Sequence, residues 1–149
     1  MTGRNPNDLR VIGESAGGQV AVRGVIKNVR YRTTKVYSLA GTTELDYGYD
    51  RWEGHEIGRT IQRVTGCTNV TWAGCSNVRD ASPGSHARQG PRLSFVHGVT
   101  DPIVPPGMGA LSKARYPFAS SFVVVSGGHL DQRFIQEFAG LLVGNSTAT

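Results

Sequence analysis

The sequence contains no run of about 18 apolar residues, so no membrane-spanning helix is expected. Its longest clean apolar stretch, residues 122–125, is only the length of a strand. Two cysteines are too few for a disulfide scaffold. Cys67 and Cys75 are near enough to pair across a short loop if the compartment is oxidising, and less so in the cytosol; the sequence does not say whether they pair. No second Cys/His pair stands at zinc-ligand spacing, so no metal site is expected. Internal repeats, low-complexity tracts and a clear linker are all missing. Residues 1–10 are polar and show no signal peptide, which leaves a cytoplasmic location as the default. The Asn-x-Thr triplets at Asn69 and Asn145 carry little weight without a secretion signal. Charged residues make up only 18%. The net charge of +5 comes from arginines scattered singly, such as Arg4, Arg10, Arg23, Arg30, Arg32, Arg51 and Arg59. They form no basic stripe interleaved with aromatics, so nucleic acid is not expected as a partner.

The chain has 149 residues, a length suited to one domain, and its 38% hydrophobic residues fall in periodic blocks. Strand-like runs alternate with helical patterns. That alternation predicts an α/β fold with a short, mostly parallel sheet of about four strands flanked by helices. The strands are read at residues 9–12 (buried), 35–39, 92–96 and 122–125. Helices are read at 16–27, despite Gly17, Gly18 and Gly24, and at 55–65, where Ile57, Ile61 and Val64 share one face. A further helix spans 107–115 and is closed by Pro117. The last carries Phe134, Ile135, Phe138, Leu141 and Leu142 and is capped by Asp131. Residues 40–54 read as a loop rich in acidic and aromatic side chains. Residues 66–91 read as irregular connection with a helical turn near Ser85.

Gly13-Glu14-Ser15-Ala16-Gly17 fits G-x-S-x-G between a predicted strand and a predicted helix, the setting that motif needs. A sharp turn there strains Ser15 so that its Oγ projects above the sheet. Gly13 and Gly17, lacking Cβ, let strand and helix approach. The helix N-terminus favours negative charge, and the Ala16 N–H becomes an oxyanion donor. With 20 glycines in the chain such a match is weak alone. A plain glycine-rich turn, even a phosphate-binding one, would read the same way. Two later segments give it more weight. His97-Gly98-Val99-Thr100-Asp101 follows the third strand, and Ser126-Gly127-Gly128-His129 follows the fourth. Parallel strands bring those ends to one edge of the sheet. Asp101 can then accept from His129 Nδ1 while His129 Nε2 takes the Ser15 proton.

These residues resemble the α/β-hydrolase superfamily. They are the elbow at Ser15, the stretch His97-Gly98-x-x-Asp101-x-x-Val104-Pro105, and Gly128-His129, with Ala81-Ser82-Pro83 and Pro91 ahead of the acid strand. The resemblance is to its acetyl-esterase, hormone-sensitive-lipase-like and feruloyl/acetylxylan esterase groups, over residues 8–140. It implies a single partial domain, equivalent to the C-terminal half of such an enzyme. It also implies hydrolysis of a small-molecule carboxylic ester through an acyl-enzyme, with Ser15 as nucleophile, His129 as base, Asp101 as orienting acid and Ala16 at the oxyanion. No cofactor or metal is implied. Such enzymes have several strands before the elbow and take a second oxyanion donor from an early His-Gly-Gly loop. Only 14 residues precede Ser15 here, and none resembles that loop. The isolated chain is therefore expected to be weakly active or inactive, with the edge near Leu9 and Ile12 exposed for strand pairing or self-association. A catalytically dead remnant or complementing partner, and peptidase or lactonase chemistry on the same fold, are the alternatives.

Other polar residues receive lesser roles. His97 is read as structural, hydrogen-bonded near the site. His55 and His86 are read as surface residues, and Glu14 as packing beside the elbow. Asp46 or Asp50 is a secondary candidate acid. Tyr47, Tyr49 and Trp52 form either an aromatic wall or ordinary loop packing.

Overall fold

The computed structural model describes residues 9–27, 33–86, 91–117 and 119–144. The triplet at Asn145 and residues Arg4, Arg30 and Arg32 lie outside them. In chain order the elements are β1 (Leu9–Glu14), α1 (Ala16–Lys27), β2 (Thr33–Leu39), α2 (Leu45–Trp52), α3 (Glu56–Thr65) and α4 (Ser76–Ala81). A 3-10 turn at Pro83–His86 follows, then β3 (Arg92–Gly98), α5 (Pro106–Arg115), β4 (Ser120–Val125) and α6 (Gln132–Gly144). The strands form one sheet in the order β1-β2-β3-β4, and every pairing is parallel. Ile12 lies opposite Tyr37, Tyr37 opposite Ser94, and Val96 opposite Val123. Parallel pairing requires a crossover between neighbours and sets all four C-terminal strand ends along one edge.

Successive strand residues face opposite sides, which divides the core in two. Val36, Leu93 and Phe95 pack with Val22 and Ile26 of α1 and with Tyr116. Tyr37, Leu39, Val96 and Val125 pack with Phe134 and Phe138 of α6 and with Trp52, Ile61, Val78 and Met108. Tyr37 and Phe138 meet edge to face, 5.5 Å between ring centroids.

The structure departs from the sequence reading at three places. The expected loop at 40–54 contains α2, because Leu45, Gly48 and Trp52 bury one face at i, i+3 and i+7. The expected irregular stretch at 66–91 contains α4 as well as the turn around Ser85. Cys75 starts α4, its Sγ accepting the Val78 N–H, and it is disulfide-bonded to Cys67. β1 is not a buried strand: among the described residues it pairs only with β2, leaving Leu9 47% and Ile12 48% exposed. The helix read at 107–115 is α5, which begins one residue earlier at Pro106, whose missing N–H costs nothing in the first turn. It stops at Arg115, before Pro117, with the Tyr116 N–H donating to Ser112 O.

Candidate active site

Ser15 occupies the single-residue turn between β1 and α1 with φ of 50°, a left-handed conformation that strains a non-glycine residue. Its N–H donates to Leu39 O at 2.9 Å, and its carbonyl accepts from the Gly18 N–H at 2.9 Å and the Thr42 N–H at 3.4 Å. The close approach belongs to Gly13 and Gly18. A Cβ on Gly13 would stand 2.2 Å from Gly17 O, and one on Gly18 would stand 2.6 Å from Ser38 Oγ and 2.8 Å from Gly41 Cα. Gly17, assigned that role from the motif, faces open space and needs no such allowance. Ala16 opens α1, so its N–H belongs to the helix's first-turn amides, which have no intrahelical acceptor.

Asp101 sits in the turn after β3 and is 5% exposed. Its Oδ1 accepts the N–H groups of Ile103 and Val104, each at 2.8 Å, which fixes the carboxylate plane. Its Oδ2 faces His129 Nδ1 at 2.8 Å, and His129 Nε2 lies 3.2 Å from Ser15 Oγ. The structure thus joins the three sequence-predicted residues in one hydrogen-bonded run, although Ser15 and His129 are 114 positions apart.

The loop carrying His129 is held from both ends. The Thr100 N–H donates to Gly127 O at 3.0 Å, tying this loop to the acid turn. Asp131 accepts the Gly128 N–H at 2.7 Å with one oxygen and the Phe134 N–H at 2.9 Å with the other. Those amides, Phe134 first, hold its carboxyl below the usual range. The sequence reading identified Asp131 as a helix cap but missed its second grip, on the residue before His129. The adjacent Gly127 and Gly128 were the available sign that a tight turn there needed an anchor. Gly127 has φ of 98°, which glycine alone takes easily.

His97 is fully buried, and its ring nitrogen Nδ1 lies 3.3 Å from Val104 O. Burial pushes its pKa down, so the ring is neutral and Nδ1–H donates to that carbonyl. Val104 therefore links His97 to Asp101, and His97 braces the acid turn from within the core. Asp46 is bound by Arg115, at 2.9 and 2.6 Å, while Asp50 and Glu14 are exposed; none joins the hydrogen-bonded run. His55 is exposed, but His86 is partly buried with Nε2 3.1 Å from Asp80 O, so it is not a plain surface residue. The aromatic cluster is mainly packing: Trp52 is in the core, and Tyr49 Oη accepts from Gln62 Nε2 at 3.0 Å. Glu44, which the sequence places among the acids of a loop, is a buried polar group. Glu44 accepts from Ser82 Oγ at 2.6 Å, Ser112 Oγ at 3.0 Å and Arg115 Nη1 at 2.6 Å.

No protein-family profile matches the sequence, and no curated protein is significantly similar to it. Solved structures do share its fold. The acylaminoacyl peptidase of Pyrococcus horikoshii superposes with a TM-score of 0.70 at 15% identity, over 94% of this chain and 24% of that one. A puromycin hydrolase gives 0.67 at 20% identity, over 88% and 20%. Acetyl xylan esterase 1 from Thermoanaerobacterium gives 0.65 at 15% identity, over 95% and 46%. The chain spans less than half of each of these proteins. Four parallel strands flanked by helices, superposing on such structures, give the chain part of the α/β-hydrolase fold.

Proposed function

We propose that the chain is a serine hydrolase that cleaves carboxylic esters through an acyl-enzyme. The observation that carries this reading is the run Asp101–His129–Ser15, at 2.8 and 3.2 Å, ending on a serine held at positive φ beside a helix N-terminus. Ser15 Oγ attacks the ester carbonyl as its proton passes to His129 Nε2. Asp101 Oδ2 keeps the Nδ1–H tautomer and faces the imidazolium that forms, while its other oxygen is occupied by two amides. The oxyanion is received by the Ala16 N–H. His129 returns the proton to the departing alkoxide, and a water activated by the same ring releases the acid. This scheme calls on no metal or organic cofactor. Ala16 is the one oxyanion donor we assign among the described residues.

The fold neighbours named as peptidases favour a second reading, amide cleavage by the same acyl-enzyme. The discriminating assay is a paired ester and anilide carrying one acyl group. The primary test is labelling of the purified chain by a fluorophosphonate, with Ser15→Ala beside it. Labelling that vanishes in Ser15→Ala supports the nucleophile. A folded chain that stays unlabelled refutes it and leaves a catalytically dead or complementing role.

A further inference from the structure

A cavity of about 300 Å³ opens beside the nucleophile turn. Ala16 and Thr42 are part of its lining; Ala16 follows Ser15 in the chain, and the Thr42 N–H donates to the Ser15 carbonyl, so this wall adjoins the proposed nucleophile. Leu45, Trp52, Ile61 and Met108 form its apolar body. Ile57 and Val64 lie at its outer part, 42% and 69% exposed. Two carboxylates border it, and neither presents a free charge. Glu44 is taken up by Ser82, Ser112 and Arg115, and Glu56 pairs with Arg59 and Arg63 on the exposed side of α3.

We infer that this cavity receives the acyl chain of the substrate, and that the chain is a medium-length alkyl or an aryl group, not acetyl. The inference rests on the serine hydrolase reading. The leaving group must collect its proton from His129 Nε2 and so departs on the His129 side of Ser15. His129 does not line the cavity, whereas Ala16, the assigned oxyanion donor, does. The part of the substrate on that side is the acyl remainder. Size and wall chemistry give the class. About 300 Å³ is the lower end of the range for pockets that enclose a small organic molecule, and an acetyl methyl would leave most of the apolar wall unfilled. Each methylene buried there multiplies kcat/KM about fourfold until the cavity is full.

The test is a series of p-nitrophenyl esters, acetate to octanoate, with one leaving group throughout. Octanoate carries six more methylenes than acetate and is expected to exceed it in kcat/KM by about 10³-fold when all of them are buried. Ile57→Asp, which changes a half-exposed wall residue, is expected to cut that ratio about fivefold. A second arm does not depend on turnover. The chain has two methionines, so methyl-labelled methionine gives a spectrum simple enough to follow Met108. Methyl octanoate added to Ser15→Ala is expected to shift the Met108 methyl resonance, and methyl acetate is not. Fluorophosphonate labelling with equal acetate and octanoate rates, and a stationary Met108, would overturn the acyl site while leaving the hydrolase reading intact. A shifting Met108 in a chain that neither labels nor hydrolyses would sink the hydrolase reading and with it the acyl role. A stationary Met108 in a chain without hydrolysis overturns both.

Discussion

Arg115→Met lowers the unfolding free energy by about 3 kcal/mol at pH 8. The Glu44 side chain is 0% exposed and Arg115 Nη1 lies 2.6 Å from its Oε2. Burial already raises the Glu44 pKa above its ordinary 4.5, against the lowering effect of Ser82 and Arg115. Removing the cation leaves an uncompensated buried anion, a change that costs about 3–5 kcal/mol. The lower end applies because the Ser82 and Ser112 hydroxyls remain and Arg115 is itself 20% exposed. Methionine keeps most of the stem, so little packing is lost; the guanidinium's stacking on Trp72, 4.0 Å from the centroid, goes with the charge. The pH dependence follows from the sign of the shift. A carboxyl whose folded pKa is raised binds its proton more readily in the native state than in the unfolded one. Its contribution to stability therefore falls as pH climbs from 4.5 through the raised value. Loss of Arg115 carries that window upward, so the deficit of the variant is largest at pH 8 and shrinks toward pH 5. Glu44→Gln/Arg115→Met removes both charges of the buried pair and recovers the share due to the Glu44 anion, while Asp46 still lacks its guanidinium partner. Urea unfolding followed by circular dichroism at the two pH values measures all of this. A deficit under about 1 kcal/mol at pH 8, the worth of an exposed ion pair, would refute the reasoning. So would a deficit unchanged between pH 5 and pH 8.

Three further outcomes are expected. Gly18→Ala drives a methyl into Ser38 Oγ and the Gly41 backbone and destabilises by about 1–3 kcal/mol. Gly17→Ala enters open space and is neutral or stabilising by up to about 1 kcal/mol, and the reverse order in urea would show the elbow packing to be misassigned. Replacing Cys67 and Cys75 by Ser opens a loop whose ends are 8 positions apart, a loss of about 2.5 kcal/mol. Equal unfolding midpoints with and without dithiothreitol would contradict it. Asp131→Asn keeps one acceptor for the α6 cap but cannot hold Phe134 and Gly128 as the carboxylate does. Its unfolding midpoint stays near that of the parent while fluorophosphonate labelling slows about fivefold or more, and an unchanged labelling rate would remove Asp131 from the positioning of His129.

The sheet was legible because its strands are short β-rich blocks separated by helical periods, and α1 was placed at 16–27 despite three glycines. The helix α2 was not legible. Its apolar positions, Leu45, Gly48 and Trp52, include a glycine, and its other residues are the acidic and aromatic side chains that usually mark a loop. Its helicity comes from tertiary contacts: Trp52 enters the core, and Asp46 is gripped by Arg115 from α5, 69 positions away. The same long-range dependence hid Glu44, which reads as one more loop acid until Ser82, Ser112 and Arg115 are brought around it. The strand-end positions of Ser15, Asp101 and His129 were legible because each is preceded by a recognisable strand and followed by a turn. The edge exposure of Leu9 and Ile12 depends on strand order, which local pattern does not contain, although the resemblance to larger hydrolases pointed to it.

The hydrogen-bonded run at Ser15 owes its geometry to a second set of bonds along the C-terminal edge of the sheet. The Ser15 N–H donates to Leu39 O, and the next residue after Leu39, Ala40, donates to Val96 O at 2.7 Å. Past β3, the Val99 N–H donates to Val125 O at 2.9 Å and the Thr100 N–H to Gly127 O at 3.0 Å. Backbone bonds thus connect the Ser15 turn to the His129 loop through the ends of β2, β3 and β4. Four residues at this edge hold positive φ: Ser15 at 50°, Ala40 at 46°, Gly127 at 98° and Leu130 at 54°. Three of them are not glycine, and strain of that kind persists only where surrounding contacts over-determine the backbone. For Ser15 those contacts come from the β2 side, through Leu39, Thr42 and the seat of Gly18 against Ser38 and Gly41. The opposite side of β1 supplies none among the described residues. The position of Ser15 is therefore a property of the β2 end as much as of its own motif. Substitutions at Ala40 or Ser38, which touch no proposed catalytic atom, should be read as changes to Ser15 itself.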